Sequence, residues 1–180
     1  MKRVIVSIAI LFSVIGFGQQ EENNKPVIRQ YEIKLNGLFL VLGALEVEYE
    51  RLLNEESGFG ASVLIGIDDD ITETLNYSFT PYYRFYFSKK YAQGFFVEGF
   101  GMLNSYDNYE YFYNDYNGTY SEDTKTYTDF ALGIGVGGKW VTNRGLMFQL
   151  NGGIGRNLFN SNDRDFEIVG RAGLTIGYRF

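Results

Sequence analysis

FEIVGRAGLTIGYRF, residues 166–180, is a stretch in which apolar side chains alternate with polar or small ones. One set of alternate positions is Phe166, Ile168, Gly170, Ala172, Leu174, Ile176, Tyr178 and Phe180. The other set carries Glu167, Arg171, Thr175 and Arg179 among small and apolar residues. Successive side chains of a β-strand point to opposite faces, so this period of two predicts a strand with one oily and one polar face.

The same period recurs from Tyr31 onwards, and no later segment has the long apolar run of a membrane-spanning helix. It predicts eight strands: Tyr31 to Val41, Ala44 to Leu53, Gly58 to Ile67, Tyr77 to Phe87, Gln93 to Asn104, Lys125 to Trp140, Gly145 to Arg156 and Phe166 to Phe180. The tight connection at Leu42 and Gly43 makes the division between the first two strands the least constrained. An even number of antiparallel strands can close without an unpaired edge, so we expect an all-β, eight-stranded, up-and-down transmembrane barrel.

The choice of a transmembrane barrel over a soluble one rests on which face turns inward. In the sixth predicted strand, an apolar face from Phe130 to Val136 alternates with small and charged residues, namely Asp129, Ala131, Gly133, Gly135, Gly137 and Lys139. Small and charged side chains suit a narrow lumen, whereas the apolar face suits lipid. The predicted connections also alternate between short and long, as in outer-membrane barrels with short periplasmic turns. Aromatic residues packed in a soluble core are the alternative interpretation.

The amino-terminal residues predict an export signal. Lys2 and Arg3 precede an apolar run from Val4 to Phe17 that is short for a membrane helix, and small residues lead up to Gly18. We expect a cleaved signal peptide over residues 1–18, a polar periplasmic tail over residues 19–30 and a barrel domain over residues 31–180 in the cell outer membrane. An uncleaved helical anchor is the alternative.

Composition argues against several classes of function. The chain has no cysteine and no histidine, and we therefore predict no cofactor, no metal and no enzyme activity. The formal net charge of −6 argues against nucleic-acid binding. An acidic cluster, Asp68, Asp69, Asp70 and Glu73, lacks EF-hand spacing, so we interpret it as a solvated loop, with a bound divalent cation as the alternative.

Face tracing places a set of charged residues inside the barrel. The predicted interior ion-pair network is Glu32, Lys34, Glu46, Glu48, Glu50, Arg84, Glu98, Asp129, Lys139, Arg171 and Arg179. A row of glutamates in a narrow lumen needs cations opposite, and we expect Lys34, Arg84 and Arg171 to supply them. We interpret the network as a rigid polar plug, with a proton or ion path as the alternative. Eight strands leave room for little besides side chains, which argues against a large open pore.

The third predicted outer loop, Ser105 to Thr124, mixes aromatic residues with small polar ones. Its aromatic residues are Tyr106, Tyr109, Tyr111, Phe112, Tyr113, Tyr116 and Tyr120. Tyrosine among small polar residues makes adaptable binding surfaces, so contact with a host or cell-surface protein or a glycan is one interpretation. The other, which we favour, is that the fifth and sixth strands extend above the membrane as a protruding hairpin, and the two interpretations are compatible.

Several stretches resemble known outer-membrane proteins. The ending GLTIGYRF, residues 173–180, resembles the carboxy-terminal signal read by the outer-membrane insertion machinery, with Tyr178 and Phe180 as its key residues. ALEVEYERLLNEESGFGASV (44–63), TPYYRFYF (80–87) and GFFVEGFG (94–101) resemble small barrels of Bacteroidota, akin in shape to OmpX and the OmpA barrel. The resemblance implies fold, location and contact with outer-membrane lipid and lipopolysaccharide. The resemblance to OmpA covers only its barrel, so we expect no periplasmic peptidoglycan-binding domain after Phe180 and do not carry cell-wall anchoring over.

Three functions are compatible with this pattern. We favour a non-enzymatic outer-membrane barrel with a structural role in the envelope, an adhesion-like role through its outer loops, or both. A narrow channel or a transporter of a small hydrophobic ligand is the second, and it would need a lateral opening or an interior freer of charge. The third is a lipid-modifying barrel enzyme like the PagP and PagL classes, whose acyl chemistry relies on a histidine that this chain lacks.

Overall fold

The computed structural model of the protein describes residues 29–68, 76–114, 119–159 and 168–180, without the side chains of residues 108–125. The predicted signal peptide and nearly all of the predicted tail lie outside these residues. Asp69, Asp70 and Glu73 of the acidic cluster and Tyr116 of the aromatic loop also lie outside them.

Antiparallel strands make up most of the described chain. In chain order they are β1 (Tyr31–Asn36), β2 (Ala44–Leu52), β3 (Ser57–Gly66), β4 (Tyr77–Tyr86), β5 (Gly94–Asn114), β6 (Thr119–Val141), β7 (Leu146–Asn157) and β8 (Ile168–Arg179), with a short helix, α1 (Gly37–Leu42), after β1. Each strand pairs with the next, and β1 pairs with β8, so the sheet closes on itself. The predicted all-β, up-and-down barrel of eight antiparallel strands is confirmed. No helix within the described ranges is long and apolar enough to cross a membrane.

The barrel wall is apolar outside and polar inside. Ile134 on β6 is 72% exposed, and Phe59, Phe79 and Leu150 on other strands are 52%, 46% and 52% exposed. The alternate positions are buried, and every strand contributes at least one charged or hydrogen-bonding side chain to them. This arrangement is the reverse of a water-soluble fold, in which the apolar face is the buried one.

Strand register brings interior charges next to one another. On β1, Glu32 lies opposite Glu50 of β2 on one side and Arg179 of β8 on the other. Arg84 of β4 lies opposite Glu98 of β5. Side chains directly opposite on neighbouring strands are close enough to interact, so the register itself starts to assemble the ion pairs.

The first strand is shorter than predicted, because α1 replaces its second half. The prediction of a strand from Tyr31 to Val41 is therefore wrong beyond Asn36. The Asn36 side chain accepts a hydrogen bond from the Leu38 N–H at 3.1 Å and caps the helix. Gly43, with φ of 95°, ends it in the left-handed conformation. An asparagine N-cap and a glycine C-cap thus outweigh the apolar pattern between them.

The β5–β6 hairpin is far longer than the predicted strands. Pairing between β5 and β6 continues to Asn114 and Thr119, through most of the predicted outer loop. Pairing of β4 with β5 reaches only Ser105, and pairing of β6 with β7 begins only at Ala131. The end of the hairpin therefore projects beyond the pairing limits of the neighbouring strands, as the interpretation of this loop as a protruding hairpin predicts.

Glycines on the inward face make room for the large interior side chains. A Cβ atom at Gly133 would lie 2.7 Å from the carbonyl oxygen of Ile154 and against the Phe100 ring. A Cβ atom at Gly60 would lie 2.6 Å from the Cζ of Tyr82. The lumen is thus packed closely enough that even a methyl group at these positions would force a shift.

Candidate functional site: the interior charge network

The structure places all the residues of the predicted network on the inward face, each between 0% and 6% exposed. They come from β1, β2, β4, β5, β6 and β8, so sequence-distant strands meet in one lumen. Buried charges are tolerated when they are paired and hydrogen-bonded. The pairing therefore decides what the site can do.

Glu50 of β2 is the centre of the network. Its Oε2 atom lies 2.9 Å from Nη1 of Arg84 and 3.2 Å from Nζ of Lys139, and it also pairs with Lys34. Its Oε1 atom accepts a hydrogen bond from the Tyr86 hydroxyl. One carboxylate thus links cations from three strands, β1, β4 and β6.

Two arginines and two glutamates form a ring above this centre. Glu98 binds Nε of Arg84 at 2.6 Å and Nη1 of Arg171 at 2.9 Å. Glu48 lies 3.5 Å from Nη2 of Arg84 and 3.6 Å from Nη2 of Arg171. The Tyr82 ring lies below both guanidinium groups, with its centroid 4.1 Å and 4.6 Å from their Cζ atoms. Such cation–π contacts add to the ion pairs when water is excluded.

Arg179 closes the end of the lumen where the short turns lie. Its Nη2 and Nε atoms lie 2.6 and 2.7 Å from Oε1 of Glu32, whose other oxygen is 2.7 Å from Nζ of Lys139. The same guanidinium donates to the carbonyl oxygens of Tyr91 at 2.9 Å and Ala92 at 2.6 Å. Both carbonyls belong to the turn between β4 and β5, and Ala92 is fully buried. The turn is therefore held across this end of the barrel.

Two of the predicted members accept hydrogen bonds from amide groups. Glu46 accepts a hydrogen bond from the Asn36 amide at 2.7 Å, and no cation lies within ion-pair distance of it among the described side chains. Asp129 accepts from the backbone N–H groups of Phe130 at 2.6 Å and Phe159 at 3.1 Å, towards the end with the long loops. Amide groups thus contribute hydrogen bonds to both carboxylates.

Sequence reasoning missed three neutral members of the network. Tyr82 donates to Glu48 at 3.1 Å, and Tyr86 donates to Glu50. The Gln149 side-chain oxygen accepts from Arg84 at 2.7 Å and from Lys34 at 3.2 Å. The two tyrosines alternate with Arg84 on β4, so the face tracing that found the charges carries the signal for them as well.

The network balances most of its charge internally. In the part of the chain that the structure describes, the ion pairs join four glutamates, Glu32, Glu48, Glu50 and Glu98, to five cations, Lys34, Arg84, Lys139, Arg171 and Arg179. Aromatic rings and glutamine fill the space between them. Among the described residues, no group of acidic side chains is arranged to hold a metal ion. The arrangement suits a rigid cross-braced interior.

The outer hairpin is described by its backbone and by its first side chains. Tyr106 is buried, because it continues the inward face of β5, and its ring stacks on Tyr127 at a centroid distance of 5.9 Å. Thr126 donates to Asp107 at 2.7 Å across the hairpin. The side chains of the other predicted contact residues, Tyr109, Tyr111, Phe112, Tyr113, Tyr116 and Tyr120, lie outside the described part.

The carboxy-terminal residues complete the closure of the sheet. Phe180 and Tyr31 exchange backbone hydrogen bonds of 2.8 and 3.1 Å, and their rings stack with centroids 6.1 Å apart. Phe180 is half exposed and Tyr178 is partly buried. These residues, the predicted insertion signal, therefore lie on the seam between the first and last strands.

The fold and its interior define an up-and-down, eight-stranded antiparallel barrel with an apolar outer wall and a charged lumen. It is similar to the crystal structure of the N-terminal β-barrel domain of OprF from Pseudomonas aeruginosa, with a TM-score of 0.59 over 84% of this chain and 98% of that domain. The two sequences are 12% identical, so the likeness is one of fold. No protein-family model and no curated protein matches the chain.

Proposed function

We propose that this chain is a non-enzymatic integral protein of the outer membrane, similar to the small barrels of Bacteroidota. We also propose that it reaches the membrane through a signal peptide cleaved after Gly18. The observation that carries this proposal is the reversal of the wall, with apolar side chains outside and paired charges inside. A band of apolar side chains around a closed sheet suits lipid, because every backbone group of a closed barrel can be satisfied without water.

The interior network gives the barrel rigidity in this proposal. Glu50, Arg84 and Lys139 are fully buried and come from separate strands, so their pairing braces the wall from within. A lumen filled by these side chains conducts poorly, because an eight-stranded barrel has little spare cross-section. The barrel thus acts as a stable support rather than as a pore.

The projecting β5–β6 hairpin supplies the contact surface in this proposal. It extends beyond the pairing limits of the neighbouring strands at Ser105 and Ala131. Its sequence combines tyrosine with asparagine, glycine and serine, a composition that suits binding to proteins or glycans. The barrel would position this surface outside the cell, in contact with a host or cell-surface molecule.

Membrane placement is tested by fractionation and by the mobility of the folded protein. We expect the mature chain to stay in the outer-membrane pellet after carbonate extraction. Its first residue should be Gln19, and its electrophoretic mobility should shift on boiling. Freely soluble protein in periplasmic extract, without detergent, would contradict the proposal. An amino terminus at Met1 would contradict the cleavage alone.

The hairpin is tested by a deletion that preserves register. Asp107 and Thr126 are partners across the hairpin, so residues 108–125 can be replaced by Asn-Gly, which forms a tight two-residue turn. A full-length variant with Tyr109, Tyr111 and Tyr113 changed to Ser is a second test, which asks whether the side chains rather than the length of the hairpin make the contact. We expect both variants to fold and to lose binding on an array of extracellular-matrix proteins and glycans. Undiminished binding by the shortened barrel would remove the hairpin from the proposal.

A further inference from the structure

A pocket of about 510 Å³ opens at the end of the barrel where the short turns lie. It lies between the chain before β1, the turn between β4 and β5, the turn between β6 and β7, and the end of β8. The residues around it include Arg29, Gln93, Thr142, Asn143, Gly145 and Arg179. We call it the mouth pocket, because it lies beside Arg179, which closes this end of the lumen.

The lining of the mouth pocket is cationic. It includes the guanidinium groups of Arg29 and Arg179, and no acidic side chain lines it among the described residues. Arg179 is neutralised by Glu32, whose carboxylate lies 2.6 Å away. The partly buried Arg29 has no ion pair or side-chain hydrogen bond within the described chain, and its Cζ lies 5.9 Å from the centroid of the Tyr178 ring. The charge of Arg29 is therefore uncompensated there.

Arg29 is held against the turn between β6 and β7, together with two carboxamide side chains. A Cβ atom at Gly145 would lie 2.5 Å from Nη1 of Arg29, so the guanidinium occupies the space that this glycine leaves. The side-chain oxygen of Gln93 accepts from the N–H of Val141 at 3.3 Å, which leaves its amide N–H groups for a ligand. Asn143 lies exposed in the turn itself. One guanidinium and two carboxamides thus line the same pocket.

The rest of this end of the barrel also carries more basic than acidic groups. Its exposed cations are Arg51, Lys89, Lys90 and Arg144. Its exposed carboxylates are those of Glu55 and Glu56 and the terminal carboxylate of Phe180. With Arg29 there are five cations against three anions, and no ion pair joins any of them within the described chain. A surplus of one sign of charge attracts ligands of the other sign.

We propose that the mouth pocket binds a phosphate ester, with the phosphate on Arg29 and the alcohol part beside Gln93 and Asn143. A guanidinium group matches the geometry of phosphate oxygens, and carboxamides form hydrogen bonds with hydroxyl groups. A phosphate ester also supplies the negative charge that the lining lacks. The volume of about 510 Å³ is in the range of small-ligand pockets, so it has room for more than a bare phosphate ion.

Two sources present this chemistry, the head of a phospholipid and a soluble phosphate ester. The aromatic side chains beside the short turns include Trp140 and Phe180, which are 58% and 51% exposed. Exposed aromatic side chains of this kind mark the headgroup level of a membrane. We therefore favour phosphatidylglycerol, whose head combines a phosphate with a glycerol and carries a net negative charge. This choice of source rests on the membrane placement proposed above.

The test is native mass spectrometry of the folded barrel as isolated from membranes, titrated in nonionic detergent with single lipids. The probes are phosphatidylglycerol and phosphatidylcholine with the same acyl chains. We expect tighter binding of phosphatidylglycerol, because the choline group of the other lipid places a cation among cations. Glycerol 3-phosphate, titrated by calorimetry, tests the soluble source. Its binding would show that the ester is recognised without acyl chains, and binding of phosphatidylglycerol alone would assign the pocket to lipid.

A pair of arginine variants locates the site. Arg29→Gln removes the guanidinium from the pocket and should weaken binding of phosphatidylglycerol about tenfold, the loss expected for a hydrogen bond to a charged group. Arg51→Gln is the matched control, because Arg51 is an exposed cation at the same end of the barrel, opposite Tyr31, but does not line the pocket. It should leave the binding constant within about twofold of the unaltered value. Boiling-dependent mobility verifies that each variant is folded.

Equal binding of the two lipids, with no binding of glycerol 3-phosphate, would overturn the inference. Equal losses in Arg29→Gln and Arg51→Gln would do the same, since they would show attraction to the whole charged end. So would binding that appears only when Glu21 and Glu22 are changed to Gln, because the amino-terminal segment would then be the occupant. These results would leave the membrane placement intact, because fractionation and the mobility shift test that placement without any ligand.

Discussion

Neutralising Glu50 tests whether the interior charges stabilise the barrel. Glu50→Gln keeps the shape of the side chain but removes a charge that lies 2.9 Å from Arg84 and 3.2 Å from Lys139. At an effective dielectric constant of about 20, each of these attractions is roughly 5 kcal/mol. The desolvation of a buried carboxylate offsets several kcal/mol of that sum. We therefore expect the free energy of unfolding to fall by about 3–5 kcal/mol, the range for breaking one partner out of a buried ion pair.

The assay is urea unfolding in lipid vesicles, with folded and unfolded fractions separated by electrophoresis without boiling. Glu55→Gln is the matched control, because Glu55 lies exposed in the turn after β2 and should change the unfolding free energy by less than about 0.5 kcal/mol. The double variant Glu50→Gln/Lys139→Met removes a cation as well. It should recover part of the loss, since replacing both members of a buried pair is far less costly than removing one.

A free energy of unfolding of Glu50→Gln within about 0.5 kcal/mol of that of the unaltered barrel would show that the charge of Glu50 does not stabilise it. Water in the lumen would then solvate the cations as well as the glutamate does. The double variant could also lose as much unfolding free energy as the Glu50→Gln and Lys139→Met variants lose together. Such additive losses would mean that the two groups do not interact.

The remaining predictions concern the wall and its packing. If Ile134 faces lipid, Ile134→Arg should lower the free energy of unfolding in vesicles by about 2–4 kcal/mol. Asn143→Arg, in an exposed turn, is the control and should leave that free energy unchanged. Equal effects of the two substitutions would contradict the lipid-facing assignment. Asn36→Ala removes the hydrogen bonds to Ala172 and Leu174 and should lower the free energy of unfolding by about 1–3 kcal/mol, measured from the urea midpoint. An unchanged midpoint would show that α1 is held by other contacts. Gly133→Val forces a side chain against backbone and should lower the unfolding free energy by about 1–3 kcal/mol.

The outer and inner faces of the wall could be predicted because they depend on local alternation. Every strand side chain is assigned to a face by its parity, so Glu46, Glu48 and Glu50 fall on one side whatever the register. Parity does not say which cation each carboxylate meets. Glu46 is the example, since it shares the face of its neighbours yet bonds to the Asn36 amide instead of a cation. Its partner depends on where β1 ends.

Alternation alone predicts the wrong end for β1, because two local signals compete there. The apolar run from Leu38 to Leu42 is short enough to be read as strand or helix, and periodicity alone does not separate the two. The sequence does contain the deciding residues, an asparagine at position 36 and a glycine at position 43, which are strong helix caps. Giving caps priority over an ambiguous apolar run would predict α1.

The length of the β5–β6 hairpin was open for a different reason. The loop composition, rich in tyrosine and asparagine, fits an adaptable surface and a polar two-stranded ribbon equally well. In the proposed placement, the ribbon lies above the membrane and has no lipid-facing side, so the oily alternation that marks the other strands is absent there. Pairing in this region follows from the anchored ends, Ser105 opposite Thr128 and Tyr106 opposite Tyr127, rather than from its own pattern.

The interior charges also explain how the closure of the sheet is specified. Glu32 and Arg179 are 147 residues apart, and they meet only when β1 pairs with β8. A slip of one residue between these strands would turn Glu32 and Lys34 outward, because side chains alternate between faces. If the outer wall meets lipid, as proposed, burying two charges there would cost several kcal/mol, and Arg179 would lose its carboxylate partner. A lumen lined by neutral side chains would impose no such penalty, so the network fixes the register of the last strand pairing as well as bracing the finished wall.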